Sequence, residues 1–303
     1  MSSSQATRRP PQLRRTWLFV PGADAGAQSA ALDAQPDVLI PDIEDLTPPA
    51  LRPRAREMVL GLIEKCHRRG IVAGVRVNPL AAEGRADLAV VMQAKPDVVL
   101  LPKTAAPEQV VELDRVMADH ERRLAIATGS TEITPNIETA AGLVATHSIA
   151  KASKRVLTCL LGADDMAADL GAERAADGAE LLYVRSRFLV ECVAANVVAV
   201  DAPYSFTDIA GARADTLQSR RLGYGAKAIV ATAHVAVINE ILTPSPEAVE
   251  RARQLVAAFE SARASGRDRV EYEGALVEVP NYLTAKRLIA RADSLAAYVG
   301  EPD

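Results

Sequence analysis

Two carboxylates stand where they could hold a metal ion. Glu138 follows the apolar run at residues 133–137, and Asp165 follows the run at 156–161 after a short Gly-Ala-Asp connection. A strand that ends in an acid places a carboxylate at the mouth of a sheet, where helices do not cover it. Two such acids on neighbouring strands offer the hard oxygen ligands that Mg²⁺ prefers. The pair therefore predicts a magnesium site.

Eight short apolar runs recur along the chain, with helix-like segments between them. They lie at residues 17–20, 38–40, 71–77, 98–101, 133–137, 156–161, 197–200 and 228–230. Continuous runs rich in Val, Ile and Leu are typical of strands buried on both faces of a parallel sheet. Eight βα units in about 240 residues match a (β/α)₈ TIM barrel. The pattern predicts this α/β fold, with a doubly wound open sheet as the structural alternative.

Polar residues end or follow most of these runs. They are Asp42, Glu44, Asp45, Arg76, Asn78, Lys103, Glu138, Asp165 and Asp201. Polar side chains that converge from many strands on one end form the active site of a (β/α)₈ enzyme. An open sheet would scatter the same groups along an edge. The strand ends therefore favour the barrel, with a site at its carboxyl-terminal end.

The chain is predicted to have three parts. Residues 1–13 are basic and contain Ser and Pro, which predicts a disordered extension, and residues 14–242 are predicted to form the catalytic barrel. Residues 243–303 are predicted to form a C-terminal extension of helices and a hairpin. Ser245-Pro246 is typical of a helix start, and Glu273-Gly274 is typical of a turn. This extension is expected to pack on the barrel or on a neighbouring subunit.

Composition and charge exclude several classes of function. The formal net charge of −4 gives no reason to expect nucleic acid as a partner. No uncharged apolar stretch approaches the roughly 18 residues of a membrane span. The first residues lack the apolar region of a secretory signal, so a cytoplasmic location is expected. Neither CxxC nor H-x-x-x-H spacing occurs, which argues against a zinc site.

The strand-end motifs, taken in order, resemble the citrate lyase β-subunit-like family, which includes citryl-CoA, malyl-CoA and related acyl-CoA lyases. The resemblance extends over residues 14–292, and the ordered set is more specific than any single motif. The matching pieces are Arg15-Thr16-Trp17-Leu18-Phe19-Val20-Pro21-Gly22, Asp42-Ile43-Glu44-Asp45, Val75-Arg76-Val77-Asn78, Leu101-Pro102-Lys103, Ile137-Glu138-Thr139, Gly162-Ala163-Asp164-Asp165, and Gly223-Tyr224 with Lys227.

The resemblance implies a Mg²⁺-dependent barrel enzyme that makes or breaks a carbon–carbon bond. It also implies a homo-oligomer, a trimer or a hexamer. In such enzymes the residues that match Glu138 and Asp165 hold the metal, and Glu138 borders the substrate. The residue that matches Arg76 contacts the substrate and takes part in catalysis.

Four further positions are matched in the family. Glu44 and Asp45 match an acidic pair that supports the metal-bound waters and the active-site geometry. Arg15 and Lys103 match basic positions near the substrate or coenzyme entrance. The resemblance thus implies a catalytic role for the acids and a substrate-binding role for the two cations.

The implied chemistry is consistent with these residue types. Cleavage of a β-hydroxy acyl compound, or condensation of its products, passes through an enolate. A fixed guanidinium such as Arg76 can stabilise the enolate oxygen. A keto-acid fragment can chelate Mg²⁺, which then acts as a Lewis acid and a template. A general base must move the hydroxyl or α-carbon proton.

The sequence departs from the family pattern at two places. The family commonly has Ile-His-Pro-x-Gln after the eighth strand, whereas this chain has Val230-Ala231-Thr232-Ala233-His234. That segment lies near the coenzyme in relatives, so the substrate is either a free small carboxylic acid or its CoA thioester. Glu278 stands where an aspartate is usual. In related lyases that acid reaches a neighbour's active site as catalytic acid or base.

Four functions are consistent with these residues. The leading hypothesis is a Mg²⁺-dependent carbon–carbon lyase or synthase of the citryl-CoA or malyl-CoA lyase type. A 2-keto-acid aldolase that does not use CoA is the second. An acyl-CoA thioesterase is the third, because water can capture the same activated thioester. A non-catalytic subunit of a lyase complex is the fourth.

Overall fold

The computed structural model describes residues 8–298, which divide into two compact units at residues 240 and 241. The predicted boundary lay after residue 242. Within the first unit, eight parallel strands pair in sequence order and close into a barrel, because β8 also pairs with β1. The predicted (β/α)₈ fold is confirmed, and the open-sheet alternative is wrong.

The barrel strands are short and begin and end close to the apolar runs of the sequence. They are β1 Thr16–Pro21, β2 Val38–Asp42, β3 Val72–Arg76, β4 Val98–Leu101, β5 Glu132–Ile137, β6 Thr158–Leu161, β7 Val198–Asp201 and β8 Ala226–Ile229. Nearly all of their residues are buried, as expected for strands with a core inside the barrel and helices outside it.

Helices follow the strands, several with identifiable start signals. Those of the first unit, the last of which reaches into the second, are α1 Ala25–Asp33, α2 Arg52–Arg68, α3 Gly84–Val91, α4 Pro107–Arg123, α5 Ala140–Lys151, α6 Asp164–Leu170, α7 Leu182–Ala195, α8 Ile209–Leu222 and α9 Val235–Leu242. Asp24, Thr139 and Asp208 cap α1, α5 and α8, each by accepting a backbone N–H of the first turn.

The barrel interior is filled by alternate residues of the strands. Its apolar core consists of Trp17, Phe19, Val38, Ile40, Val72, Val98, Leu100, Leu160, Val200, Ala226 and Ala228. Because strand side chains alternate, every second residue beyond this core points into the mouth of the barrel, and the residues between point to the helices. This alternation decides which polar side chains can share one site.

The amino-terminal end of the barrel is closed by ion pairs. Arg14 is 1 % exposed, and two of its guanidinium nitrogens lie 2.6 and 2.8 Å from the Glu132 carboxylate. Arg8 pairs with Asp97 at 2.9 Å, and Pro11–Leu13 form a 3₁₀ helix. The prediction of disorder therefore does not hold for residues 8–13, because these ion pairs order them. Residues 1–7 lie outside the described residues.

The second unit contains two helices and a hairpin. They are α10 Pro246–Ala264, β9 Val270–Tyr272, β10 Ala275–Val277 and α11 Val279–Tyr298. Ser245 caps α10, and Glu273 and Gly274 form the hairpin turn with φ angles of 51° and 75°. Both features match their predictions. Across residues 8–298, no helix combines the length and apolar character needed to cross a bilayer.

Candidate active site

Arg76 is held at the carboxyl end of β3 by the acid beside it. Asp42 and Arg76 are register partners on β2 and β3. The Nε and Nη2 of Arg76 donate to the Asp42 carboxylate at 2.8 and 2.6 Å. Asp42 also accepts the backbone N–H groups of Glu44 and Leu46. Although burial lowers the pKa of Arg76, the hydrogen bonds to Asp42 raise it, so the guanidinium is both fixed and charged.

The third guanidinium nitrogen of Arg76 remains available. Its Nη1 lies 3.5 Å from Glu44 Oε2 and 3.5 Å from Glu138 Oε1, beyond the normal hydrogen-bond range. The Oε2 atom of Glu44 is buried and has no hydrogen-bond partner within residues 8–298. Arg76 is thus anchored by two nitrogens and can donate through the third to an oxygen of a bound molecule.

Glu138 is oriented by an unusual backbone turn. Its Oε2 accepts the backbone N–H of Lys103 at 2.8 Å, and Lys103 has a φ of 48°, in the left-handed region that non-glycine residues rarely adopt. Gly162, at the end of β6, makes room for this side chain, because a Cβ there would lie 2.5 Å from Glu138 Cγ. Burial raises the pKa of Glu138, although Arg76 opposes the shift.

Asp165 lies near Glu138, at the first turn of α6. Its side chain is half-buried, and its charge contributes to the raised pKa of Glu138. The adjacent Asp164 has other partners, since its carboxylate accepts from Ser205 Oγ at 2.9 Å and from Arg174 Nε at 2.9 Å. The sequence-predicted pair Glu138 and Asp165 is therefore brought together.

Lys103 joins the acids at the mouth of the barrel. Its Nζ lies 2.7 Å from Glu44 Oε1 and 3.3 Å from both carboxylate oxygens of Asp45. Burial raises the pKa of Glu44 to about 7, although Arg76 and Lys103 oppose this shift. Glu44 can therefore take up or release a proton near neutral pH, beside a cation that remains charged.

Two predicted site residues lie elsewhere. Arg15 precedes β1 and pairs with Asp37, which precedes β2, at 2.8 and 2.9 Å. All barrel strands begin at the same end, so Arg15 stands at the opposite end from Arg76, and the substrate-binding role predicted for it does not fit this position. Glu278 belongs to the second unit, where it is exposed between β10 and α11. Its catalytic role stays a prediction.

Asn136 also lies beside Glu138, and the sequence analysis did not single it out. It is fully buried on β5 and is the register partner of Leu160, which belongs to the barrel interior. Its Nδ2 lies 3.4 Å from Glu138 Oε1, and its Oδ1 is buried with no hydrogen-bond partner in the described part of the chain. The signal was present, because Asn136 stands two residues before Glu138 on a strand and must share its face.

Asp201 belongs to a separate ion network in the barrel wall, outside this site. The guanidinium of Arg185 contacts it at 3.0 and 2.6 Å, and Lys227 Nζ lies 2.9 Å away. The same two cations contact Asp215 at 2.8 and 2.5 Å. Burial alone would raise the pKa of Asp201, but Lys227 and Arg185 lower it below its ordinary value. His234, the fifth residue of the altered segment, is 1 % exposed, and its Nε2 lies 3.2 Å from the carbonyl oxygen of Thr207.

The residues at the mouth of the barrel fit a hydrated divalent cation. Among the described residues, the acids at the mouth outnumber the cations. The acids are Asp42, Glu44, Asp45, Glu138 and Asp165, and the cations are Arg76 and Lys103. Residues 8–298 contain no group of three or more His, Cys, Asp or Glu side chains arranged to hold a metal ion by themselves. Mg²⁺ does not require one, because it is usually bound through one or two carboxylates with waters and substrate oxygens. The surplus of negative charge and the two unpartnered buried oxygens are consistent with such an ion.

The closed barrel and its acid-rich carboxyl-terminal mouth are typical of a (β/α)₈ enzyme. The chain belongs to the HpcH/HpaI aldolase/citrate lyase family, which its residues 15–233 match. It is 32% identical over 285 residues to the citrate lyase subunit beta of Haemophilus influenzae, covering 93% of this chain and 98% of that protein. It is 30% identical over 289 residues to a (3S)-malyl-CoA thioesterase of Cereibacter sphaeroides, covering 94% and 96%.

A solved structure agrees with these relatives. The protein CitE from Mycobacterium tuberculosis, in complex with magnesium, acetoacetate and coenzyme A, superposes with a TM-score of 0.72. It is 26% identical to this chain, and the match covers 92% of this chain and 98% of that one. The predicted family and the predicted lyase class of enzyme are confirmed.

Proposed function

We propose that this chain is a Mg²⁺-dependent carbon–carbon lyase or synthase that acts on a small carboxylic acid, as its CoA thioester, through an enolate. The proposal rests on the hydrogen bonding of the Arg76 guanidinium. Two of its nitrogens are used by Asp42, and the third is directed between Glu44 and Glu138 without a short partner. A preorganised donor of this kind stabilises charge that develops on a substrate oxygen.

Each remaining side chain has a role that its surroundings support. Glu138 and Asp165 would hold Mg²⁺, which when bound polarises a substrate carbonyl as a Lewis acid. Glu44, with a pKa of about 7, can accept the proton that carbon–carbon cleavage releases and return it in the reverse direction. Lys103, partly exposed at the mouth, can pair with a substrate carboxylate. Asp45 shares Lys103 with Glu44 and limits where its ammonium group lies.

The assignment of a CoA thioester follows the relatives. One relative is named for malyl-CoA, and the Mycobacterium tuberculosis protein was solved with coenzyme A. The altered segment does not oppose this, because His234 is buried and bonded to Thr207 and is not presented at the surface. We further propose a cytoplasmic trimer or hexamer in which Glu278 of a neighbouring subunit acts as acid or base.

A thioesterase is the second candidate, favoured by the relative from Cereibacter sphaeroides. The two reactions release different products. Cleavage of a carbon–carbon bond leaves the thioester intact on the acyl fragment, whereas hydrolysis releases the free thiol of CoA. Incubation with malyl-CoA or citryl-CoA, followed by detection of free thiol and of the keto product, therefore separates them. Thiol release without a keto product would reject the lyase.

The metal site is tested by calorimetric titration with Mg²⁺. We expect Glu138→Gln and Asp165→Asn each to weaken Mg²⁺ binding by at least about tenfold, because each removes a charged ligand. The matched control is Asp164→Asn, which removes the adjacent charge but keeps an acceptor for Ser205. Unchanged affinity in both site variants would contradict the proposed site.

Titration with oxaloacetate, pyruvate and acetyl-CoA extends the series, and failure of acetyl-CoA to bind would favour an aldolase for free keto acids.

A further inference from the structure

Asn136 is an anomaly in the barrel interior. The core at its level is apolar, with Leu160 as its register partner, and its side chain is fully buried. Buried polar atoms nearly always have a hydrogen-bond partner. The Oδ1 atom of Asn136 has none within the described residues. Because the fold leaves the Oδ1 acceptor of this amide without a hydrogen bond, the amide indicates a function other than stabilising the barrel.

The orientation of the amide is set by its neighbour. The Nδ2 of Asn136 faces Glu138 Oε1 at 3.4 Å. The reverse orientation would place the amide oxygen against an oxygen of Glu138, which is ionised when it holds a cation, and neither atom could then donate. The NH₂ group is therefore directed to Glu138, and Oδ1 is left as an acceptor beside it.

We propose that Asn136 is a further residue of the cation site. Its NH₂ group steadies the proposed ligand Glu138, and its Oδ1 accepts a hydrogen bond from a water molecule in the hydration shell of the Mg²⁺ ion. The inference rests on the proposed function. Mg²⁺ keeps several of its waters in protein sites, and the groups that bind such waters and ligands tune the affinity of the metal.

Thr134 provides a matched comparison. It points into the barrel two residues earlier on β5, and its hydroxyl lies 2.5 Å from that of Thr158. Both Thr134 and Asn136 are fully buried polar residues of one strand. The Thr134 hydroxyl is satisfied within the protein, whereas the Asn136 oxygen is not.

The test compares Asn136→Leu with Thr134→Val. We expect Asn136→Leu to weaken Mg²⁺ binding about tenfold by calorimetry without substrate. Its Tm in EDTA should equal or exceed that of the wild type, because an unpartnered buried acceptor is removed. Thr134→Val should lower the Tm and leave Mg²⁺ affinity within about twofold, because it breaks a satisfied pair away from the ion.

Two results would overturn the inference. One is an Asn136→Leu variant that binds Mg²⁺ within about twofold of the wild type; the other is a Thr134→Val variant that weakens binding as much. If Asn136→Leu does not fold, Asn136→Ala against Thr134→Ala gives the same comparison. A wild-type chain that takes up no Mg²⁺ would reject the proposed function itself, and this inference with it.

Discussion

Asp42 with Arg76 and Asp201 with Arg185 are the same types of residue, and both acids end barrel strands, but they face opposite sides of the wall. The charges around Asp201 are balanced, because Asp201 and Asp215 each lie within 3.0 Å of both Arg185 and Lys227. The charges at the mouth of the barrel are not balanced in this way. It carries more acids than cations, and two of its acids have raised pKa values because of burial.

The difference is decided by strand alternation. Val200 points into the barrel, so Asp201 points to the helices, where it can be completely surrounded. Asp42 and Arg76 stand at the inward-facing alternate positions of β2 and β3, at the carboxyl-terminal mouth of the barrel. A balanced ion network therefore supports the fold, whereas an unbalanced one with unused acceptors is suited to bind an ion and a substrate.

The largest effect is expected from breaking the balanced network. Lys227→Met removes a fully buried charge and leaves Arg185 as the remaining cation that the described residues provide for both Asp201 and Asp215. We expect the free energy of unfolding to fall by about 3–5 kcal/mol, as for other buried pairs that lose one partner. Urea denaturation measures this. A decrease of less than about 1 kcal/mol in the free energy of unfolding would show that this network does not stabilise the fold.

Removal of the Arg76 guanidinium at the mouth of the barrel should mainly reduce turnover. Arg76→Ala is expected to reduce kcat/KM by a factor equivalent to about 2.7–4 kcal/mol, because a preorganised donor to the developing charge is lost. The variant should be less stable but still folded, since Asp42 loses its buried partner but keeps the N–H groups of Glu44 and Leu46. The assay uses the thioester cleaved in the product test above, with circular dichroism as the folding control. Near-normal kcat/KM would remove the assigned role.

The smallest effect concerns pH. The pKa of Glu44 is raised from 4.5 to about 7, so its proton stabilises the fold fully below pH 4.5, and this contribution is lost as the pH rises through 7. Glu44→Gln cannot lose that proton. We expect its stability relative to the wild type to increase between pH 5 and 8 by on the order of 1–3 kcal/mol. Thermal unfolding at several pH values measures the difference, and a constant difference would contradict the raised pKa.

The fold was predictable because its strands are apolar on both faces. Each of the eight runs in the sequence overlaps one barrel strand, since parallel strands under helices leave no polar side to confuse the pattern. The position of Glu138, Asp165 and Lys103 at the carboxyl-terminal end of the barrel was predictable for the same reason, because they follow strands. Their grouping follows from closure of the barrel.

The position of a residue at the start or end of a strand, and the face to which its side chain points, explain the remaining differences between sequence and structure. Arg15 precedes its strand, so its position alone should have placed it at the amino-terminal end. Asn136 shares the face of Glu138 by the period of two, yet within an apolar run it was not recognised. The left-handed turn at Lys103 could not be predicted, because no glycine or asparagine marks it.

Gly162 limits which side chains this site can accommodate. A methyl group on its α carbon would lie 2.5 Å from the Cγ of Glu138, so any side chain there must displace either the acid or the end of β6. At Gly61, by contrast, nothing lies within 4 Å of the same added atom. The depth to which an acid can enter the barrel is thus governed by a neighbour that has no functional group of its own.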